Sequence, residues 1–116
     1  MDKIIQDLKN TGCDIDTTLK RFLDDKEFMI QCMKKAVVDE DFDKIGGAIA
    51  SKDAKEVFEL AHGLKGVLLN VGLDKLYEKV SVIVEELRAG EWSDKVLDEY
   101  DELLRCKKKY YDILNG

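Results

Sequence analysis

The segment that decides the fold is DAKEVFELAHGLKGVLLNVG, residues 53–72. Its apolar residues recur every three or four positions, and this spacing predicts one helix from about Asp53 to Val71. Gly72 follows the last apolar residue and is suited to a left-handed cap at the helix C-terminus. Placing successive residues about 100° apart puts a set of apolar side chains on one side of the helix. This side, which is predicted to be buried, comprises Val57, Leu60, Ala61, Leu64, Leu68 and Val71.

His62 is the only histidine of the chain, and it lies outside this buried side. Helical geometry places it roughly 140° from Val57 around the helix axis, so the imidazole is predicted to face solvent or the edge of a helical bundle. Four residues share its side of the helix, because they lie four residues before it and three, four and seven residues after it. They are Phe58, Lys65, Gly66 and Leu69.

These neighbours favour a docking surface for another protein. Exposed Phe58 and Leu69 beside an exposed imidazole would form an apolar patch. Gly66 leaves room for a partner near the ring, which accounts for a residue that costs about 1 kcal/mol relative to alanine within a helix. Lys65 would neutralise an anion attached to the histidine. The alternative interpretation is that His62 is an ordinary surface residue and that another helix buries Phe58 and Leu69.

The composition limits the class of protein. A chain of 116 residues with 45% apolar residues has the size of one domain with one core, so residues 1–116 are interpreted as a single domain. The net charge of −6 argues against nucleic acid and against a membrane surface as partners, because both bind basic surfaces. The N-terminus lacks a signal-peptide pattern, and no apolar run is long enough to span a membrane. A cytoplasmic protein is therefore expected, with the monomer as the default oligomeric state.

The cysteines and carboxylates do not indicate a metal centre. Cys13, Cys32 and Cys106 include no CxxC pair, and one histidine is too few for the usual zinc site. An odd number of cysteines argues against a disulfide framework and favours a reducing compartment. Acidic residues at helical spacing, such as Glu56 and Glu85, are interpreted as a solvated surface rather than as a Mg²⁺ site. No metal or cofactor is expected, and the lack of a GxxxxGK[ST] motif argues against ATP binding.

The N-terminal half also shows helical periodicity, and the whole chain contains no proline. Two short helices are predicted first, one over residues 2–9 and one that Asp16 caps and that ends near Leu23. A third and a fourth helix follow, with apolar residues at helical spacing. Their predicted buried residues are Phe28, Met29, Cys32, Met33, Ala36, Val37, Phe42, Ile45, Ala48 and Ile49.

Two further helices are predicted after Gly72. Asp74 is expected to cap the first, which ends at Gly90, and Ser93 is expected to begin the second. Their predicted buried residues are Leu76, Tyr77, Val80, Ile83, Val84, Leu87, Val96, Leu97, Tyr100, Leu103, Leu104, Tyr111 and Leu114. Short loops make sequential helices antiparallel neighbours. The predicted fold class is therefore all-α, an antiparallel four-helix bundle with additional short N-terminal helices.

The sequence resembles the histidine-containing phosphotransfer (HPt) domain family at AHGLKG, residues 61–66, which fits the family pattern A-H-x-L-K-G. VLLN, Val71 and Gly72 follow, as in the family, and then a helix with Leu76. The resemblance covers most of the chain, because GCDIDTTLKRFLDDKEFMIQCMKKAVVDEDF is similar to the N-terminal part of these domains and residues 53–114 to their helical hairpin and closing helix. It implies an HPt-like bundle that carries a phosphoryl group in the phosphorelay of a two-component system.

The resemblance implies a function for each matching residue. His62 would accept a phosphoryl group from an aspartate of a receiver domain and pass it to another receiver. Lys65 would neutralise the phosphoryl oxygens, and Gly66 would let the receiver approach closely. The implied partners are response-regulator receiver domains, a hybrid sensor kinase or both, with Mg²⁺ held by the receiver. The chain would be a relay element rather than a self-sufficient enzyme, and its start at Met1 favours a free-standing domain.

The sequence departs from the family pattern at two positions. Several relatives have a glutamine on the facing helix near the histidine, and by count that position is Val84. The residue after the histidine, commonly Ser, Thr or Ala in relatives, is Gly63. The simplest interpretation of Gly63 places it against a neighbouring helix.

Two other classes of function are weighed against a phosphoryl carrier. An adaptor with the HPt fold would dock receiver or kinase domains without carrying phosphate, but it would not need His62, Lys65 and Gly66 together. A hydrolase that uses His62 as a general base would need an activated nucleophile beside it. The serines and cysteines lie on other segments or on apolar stripes, which argues against the hydrolase.

Overall fold

The computed structural model describes residues 2–116, and these form seven helices and no strand. The helices are α1 (Asp2–Asn10), α2 (Ile15–Arg21), α3 (Lys26–Val37), α4 (Asp41–Ala50), α5 (Ala54–Asn70), α6 (Asp74–Glu86) and α7 (Lys95–Asn115). None of these seven combines the length and the apolar character that crossing a bilayer requires.

Helices α3 to α7 form the bundle. α5 packs between α4 and α6, and α6 packs on α7. α7 lies in turn against both α3 and α4, so these two shorter helices together complete one wall of the bundle. α1 packs on α7 and on α2. The prediction of an all-α four-helix bundle with additional short N-terminal helices is therefore confirmed.

α5 begins and ends close to the predicted positions. The carboxylate of Asp53 accepts a hydrogen bond from the N–H of Glu56 at 3.1 Å, which satisfies a free N–H group of the first turn. At the other end, Gly72 has a φ of +78°, the left-handed conformation that glycine adopts without strain. A Cβ on Gly72 would collide with the side chain of Thr18. This close contact fixes α2 against the C-terminal end of α5.

Two of the predicted helix starts near α2 and α6 are wrong. The N-cap of α2 is Asp14, whose carboxylate accepts the N–H of Thr17 at 3.1 Å, whereas Asp16 lies inside the helix. Asp74 does not cap α6, because it is the first residue of that helix. Its carboxylate accepts the N–H of Asp14 instead, at 3.1 Å, so it ties α6 to the start of α2.

The boundaries on either side of the last loop also differ from the prediction. α6 ends at Glu86 rather than near Gly90, which has a φ of +83° and lies in the loop. Asp94, not Ser93, is the residue before α7. Ser93 Oγ nevertheless accepts a hydrogen bond from the N–H of Lys95 at 3.3 Å, so the serine still satisfies one of the free N–H groups in the first turn of α7.

The core contains most of the predicted residues, but five of them are only half-buried and three are exposed. Phe28, Leu97 and Tyr111 are between 45% and 52% exposed. Tyr110, which the sequence analysis did not assign to the core, is 1% exposed, and its hydroxyl lies 3.4 Å from the Sγ of Cys13. Burial, followed by the contact with Cys13, raises the pKa of this phenol. The C-terminal half of α7 thus packs against the N-terminal helices. Its buried residues are therefore not the ones predicted by extending the apolar pattern of the first half of the helix.

Candidate functional site

His62 lies in the middle of α5, on the side that faces away from the core. Its neighbours Ala61 and Leu64 are completely buried, whereas His62 itself is exposed. The hydrogen bonds among residues 2–116 do not involve the imidazole. A neutral imidazole nitrogen that is open to solvent and free of internal partners is a competent nucleophile.

The ring of Phe58 stacks on the imidazole of His62. The two ring centroids are 5.9 Å apart, and the ring planes are inclined by 28°. Phe58 is partly buried against the core, so it provides a fixed surface for the more exposed imidazole. The imidazole therefore contacts Phe58, while the side chain as a whole remains exposed.

The Glu85–Arg88 ion pair at the C-terminal end of α6 contacts Phe58. The guanidinium carbon of Arg88 lies 5.8 Å from the Phe58 ring centroid, within the range of a cation–π contact. Glu85 accepts a hydrogen bond from Arg88 at 2.6 Å. That hydrogen bond, more than the charges of Arg88 and Lys65, holds the pKa of Glu85 below its usual range. Glu85 and Arg88 thus connect α6 to Phe58 and, through the ring stack, to His62.

Lys65 is the cation that lies one turn from His62 on the same helix. Its Nζ atom is 5.6 Å from the centroid of the Tyr77 ring, and its side chain is half-buried between α5 and α6. A lysine held in this way has fewer rotamers to lose when it meets an anion. The ammonium group is therefore held over the Tyr77 ring, on the side of α5 that also carries His62.

The sequence count indicated Val84 as the residue after α5 that borders the site, but other residues border it. Val84 is completely buried in the core, so the prediction that this position faces the imidazole is wrong. Tyr77, Ser81 and Glu85 share one side of α6 by their spacing, and Arg88 follows in the turn just after the helix. The hydroxyl of Ser81 donates to the carbonyl of Tyr77 at 2.7 Å, so it is occupied within its own helix. The sequence analysis did not include Tyr77, Glu85 and Arg88 in the site. The available signal was their spacing, because Tyr77, Ser81 and Glu85 are four residues apart and Arg88 follows Glu85 by three.

Gly63 and Gly66 leave bare backbone beside the imidazole. A Cβ built on either residue meets no other atom within 4 Å. The prediction that Gly63 packs against a neighbouring helix is therefore wrong, because its surroundings are open. Nothing within residues 2–116 requires glycine at these two positions, although each glycine costs the helix about 1 kcal/mol relative to alanine. The packing of the domain therefore does not explain either glycine.

The apolar neighbours of His62 differ in exposure. Leu69 is 44% exposed, so the interpretation in which another helix buries both Phe58 and Leu69 is wrong for Leu69. Phe58 is only partly buried. The side of α5 around His62 thus combines an imidazole, two apolar side chains, a lysine and two glycines.

The structure does not group metal ligands at this site. Within residues 2–116, no three His, Cys, Asp or Glu side chains are arranged so that they could hold a metal ion. The three cysteines are free thiols, and Cys13 is buried.

A family model of the Hpt domain matches residues 35–105, which is more than half of the chain. The protein therefore belongs to the Hpt domain family. The matched range begins in α3, ends in α7 and includes His62, Lys65 and both glycines. Members of this family generally carry a phosphoryl group on a histidine in phosphorelays. No curated protein and no solved structure gives a significant match to the chain.

Proposed function

We propose that this protein is a phosphoryl carrier of a cytoplasmic two-component phosphorelay. His62 accepts a phosphoryl group from the aspartate of one receiver domain and passes it to the aspartate of another. The observation that carries the proposal is the exposed imidazole of His62 beside two glycines whose surroundings are open, with Lys65 one turn away. This set provides a nucleophile, room for a second protein and a cation, which phosphoryl transfer requires.

The transfer step exchanges one bond to phosphorus for another. A neutral nitrogen of the His62 imidazole attacks the phosphorus of an aspartyl phosphate, while the other nitrogen keeps its proton. The bond between phosphorus and the aspartate oxygen breaks, and the carboxylate leaves with the electron pair. Such transfers pass through a loose transition state with charge on three equatorial oxygens, so catalysis depends on positioning and electrostatics. The reverse of this step delivers the phosphoryl group to the second receiver.

Each neighbour of His62 contributes to this step. Phe58 limits the orientations of the imidazole through the ring stack, and the Glu85–Arg88 pair holds Phe58 in place. Lys65 neutralises the phosphoryl oxygens on the protein side. The partner receiver would supply the Mg²⁺ and the acceptor carboxylate. Gly66 and Leu69 form the surface against which the receiver docks.

A labelling experiment tests the proposal. The protein is incubated with purified receiver domains that carry labelled phosphate on aspartate, and acid-labile label on the protein is measured. Wild type is expected to take up label, and the His62→Gln variant is not. Because His62 is the only histidine, label on any phosphohistidine identifies the site without mapping.

Two outcomes would contradict the proposal. Label on the His62→Gln variant would show that another residue is the acceptor. Failure of wild type to take label from any of several receivers would favour the alternative, an HPt-fold adaptor that docks receiver or kinase domains without phosphotransfer. Circular dichroism of both proteins serves as the control for folding.

A further inference from the structure

Helix α7 has a second row of apolar residues on its outer surface. Leu97, Leu104 and Tyr111 are seven residues apart, which keeps them within about 40° of one another around the helix axis. Their spacing led the sequence analysis to place all three in the core. In the structure Leu97 is 48% exposed, Tyr111 is 45% exposed and Leu104 is only half-buried. These three residues are called the α7 stripe below.

The α7 stripe borders a groove between α7 and the end of α3. Leu104, Tyr111 and Val38 line this groove together with Lys107 and Lys108, and its volume is about 280 Å³. Val38, the residue after α3, is 58% exposed. It adds a fourth accessible apolar side chain, so a helix that lay along the stripe would contact both walls of the groove.

The charges of α7 change sign at Leu104. Before Leu104 the helix carries four acidic residues and one lysine, and after it four basic residues and one aspartate. Asp101 and Lys108 each follow a member of the stripe by four residues, so they lie along the same edge of it. Among residues 2–116, Asp101 forms no ion pair, and Lys108 pairs only with the exposed Asp112, at 3.0 Å. Both charges are therefore accessible to a second molecule.

A second copy of α7 that runs antiparallel to the first matches this arrangement. With Leu104 opposite its own counterpart, Leu97 of each copy meets Tyr111 of the other, because both lie seven residues from the centre. A two-fold axis perpendicular to the helices keeps the same edge of the two stripes together. Asp101 lies three residues before the centre and Lys108 four residues after it, so they come within about 1.5 Å of each other along the helix axis. Two Asp101–Lys108 contacts would then join the copies.

The charge pattern favours this partner over other helices. Two parallel copies would place acidic half against acidic half and basic half against basic half. An unrelated helix would need both an apolar row and the opposite order of charges. A second copy in the antiparallel orientation has both by symmetry, because its basic half lies against the acidic half of the first.

We propose that the α7 stripe is the interface of a homodimer in which the two α7 helices pack antiparallel about a two-fold axis at Leu104. The inference does not depend on the proposed function. α5 packs on α4 and α6, whereas α7 packs on α3, α4 and α6, so α5 and α7 occupy opposite corners of the bundle. His62 of each copy therefore remains open, and the dimer presents two exposed imidazoles.

The dimer is expected to dissociate on dilution. The stripe is about 21 Å long on a helix about 10 Å wide, which is less than the roughly 800 Å² per partner of a standard interface. Sedimentation velocity from about 1 µM to about 1 mM covers the dissociation constants of such weak association. Over this range the weight-average mass is expected to rise from 13.3 kDa towards twice that value.

Charge reversal at the edge of the stripe tests the orientation. Asp101→Lys and Lys108→Asp are each expected to raise the dissociation constant about tenfold, because both symmetric contacts become repulsive. The double variant again has opposite charges and is expected to dimerise as wild type does. An equimolar mixture of the two single variants is expected to form a heterodimer, since each supplies the charge that the other lacks.

Two further variants serve as matched controls. Glu102→Lys makes the same charge change as Asp101→Lys one residue later, but Glu102 Oε2 lies 3.4 Å from Lys79 Nζ and so faces α6 rather than the stripe. Leu97→Gln is expected to raise the dissociation constant about tenfold, since two apolar contacts are lost. Its control is Val82→Gln, at a residue of α6 that is 50% exposed. Both controls are expected to dimerise as wild type does, and circular dichroism checks folding.

Three results would overturn the assignment. A wild-type chain that stays monomeric over the whole range has no such interface. A wild-type dissociation constant in Asp101→Lys and Leu97→Gln, or an equal loss in their controls, would place the contact elsewhere. Failure of both the double variant and the mixture to dimerise would contradict the antiparallel orientation. None of these results bears on phosphoryl transfer, which the labelling of His62 tests separately.

Discussion

The imidazole of His62 lies against the ring of Phe58, with centroids 5.9 Å apart and planes inclined by 28°. A stack of this geometry restricts rotation of the exposed ring without using either of its nitrogens. Arg88 makes a cation–π contact with Phe58 at 5.8 Å and is itself held by Glu85 at 2.6 Å. The nucleophile is thus oriented through apolar and cation–π contacts, and its lone pair remains available for the reaction.

Truncation of Phe58 is expected to slow phosphoryl transfer. In Phe58→Ala the imidazole loses its stacking partner, and a freely rotating ring spends less time in the reactive orientation. We expect the transfer rate at saturating receiver to fall about three- to tenfold. Phe58→Tyr keeps the stack and is the matched control. A wild-type rate in Phe58→Ala, measured by rapid quench, would show that the stack does not position the ring.

Replacement of Lys65 is expected to reduce the same rate more strongly. Lys65→Gln removes the cation that we propose neutralises the phosphoryl oxygens, and one lost charge-assisted contact corresponds to about a ten- to hundredfold decrease. Lys65→Arg retains the charge and is expected to recover part of the rate. Equal rates for the glutamine and arginine variants would contradict a role for the charge.

Alanine at the two glycines is expected to separate stability from function. Both Gly63→Ala and Gly66→Ala should raise the free energy of unfolding by about 0.5–1 kcal/mol, because a Cβ meets no atom within 4 Å at either position. Gly66→Ala is expected to slow transfer from a receiver, since the methyl group occupies the space of the partner. Urea denaturation and transfer kinetics measure the two effects.

Gly63→Ala is the matched control for this experiment. It adds the same methyl group to the same helix, but at the residue that relatives replace with Ser, Thr or Ala, so its transfer rate is expected to stay close to that of wild type. If Gly66→Ala transfers as fast as Gly63→Ala, close approach of the partner at Gly66 is disproved.

Glu99 is expected to make stability depend on pH. Burial, and then the charge of Glu86, raises the pKa of Glu99, and among residues 2–116 its buried Oε2 atom has no hydrogen-bond partner. The folded state therefore binds the proton more tightly than the unfolded state does. The ionised carboxylate lowers stability at neutral pH, and this penalty disappears as the pH falls through the raised pKa towards the ordinary glutamate value.

The variant Glu99→Gln checks this dependence. It is expected to be more stable than wild type at pH 7, by about 0.5 kcal/mol or less because the carboxyl group is only partly buried and solvent screens its charge. The difference should shrink at pH 4, where wild-type Glu99 is protonated. Glu40→Gln, which breaks the exposed pair with Lys44, is the control and should give no gain at pH 7. A gain from Glu99→Gln that is the same at both pH values would contradict the assignment.

The sequence predicts the helices of this protein well because each has an apolar side at the right spacing. It predicts α7 less well, since Tyr110 rather than Tyr111 is buried where the N-terminal helices pack on the second half of α7. The periodicity of apolar residues within one helix does not indicate which other helix packs against it. Asp14 and Asp16 are equally suitable N-caps by residue type, and only the three-dimensional structure identifies Asp14 as the N-cap of α2.

The candidate site likewise combines features that the sequence predicts with features that depend on helix packing. The exposure of His62 follows from its angle to the apolar side of α5, and the sequence therefore predicts it. The surroundings of Gly63 and the contacts of Arg88 depend on how α5 and α6 are placed in space, and counting residues does not give them. A count from His62 led to Val84, but the rotation of α6 directs Val84 into the core and Glu85 towards the site.

The single imidazole also makes the protein a convenient reporter of its own state. A long-range ¹H–¹⁵N correlation spectrum of the uniformly labelled chain contains ring signals from one residue only, and attachment of phosphorus changes both nitrogen shifts. The fraction of molecules that carry phosphate could therefore be followed in real time in a mixture with unlabelled partners, without resonance assignment and without radioactivity.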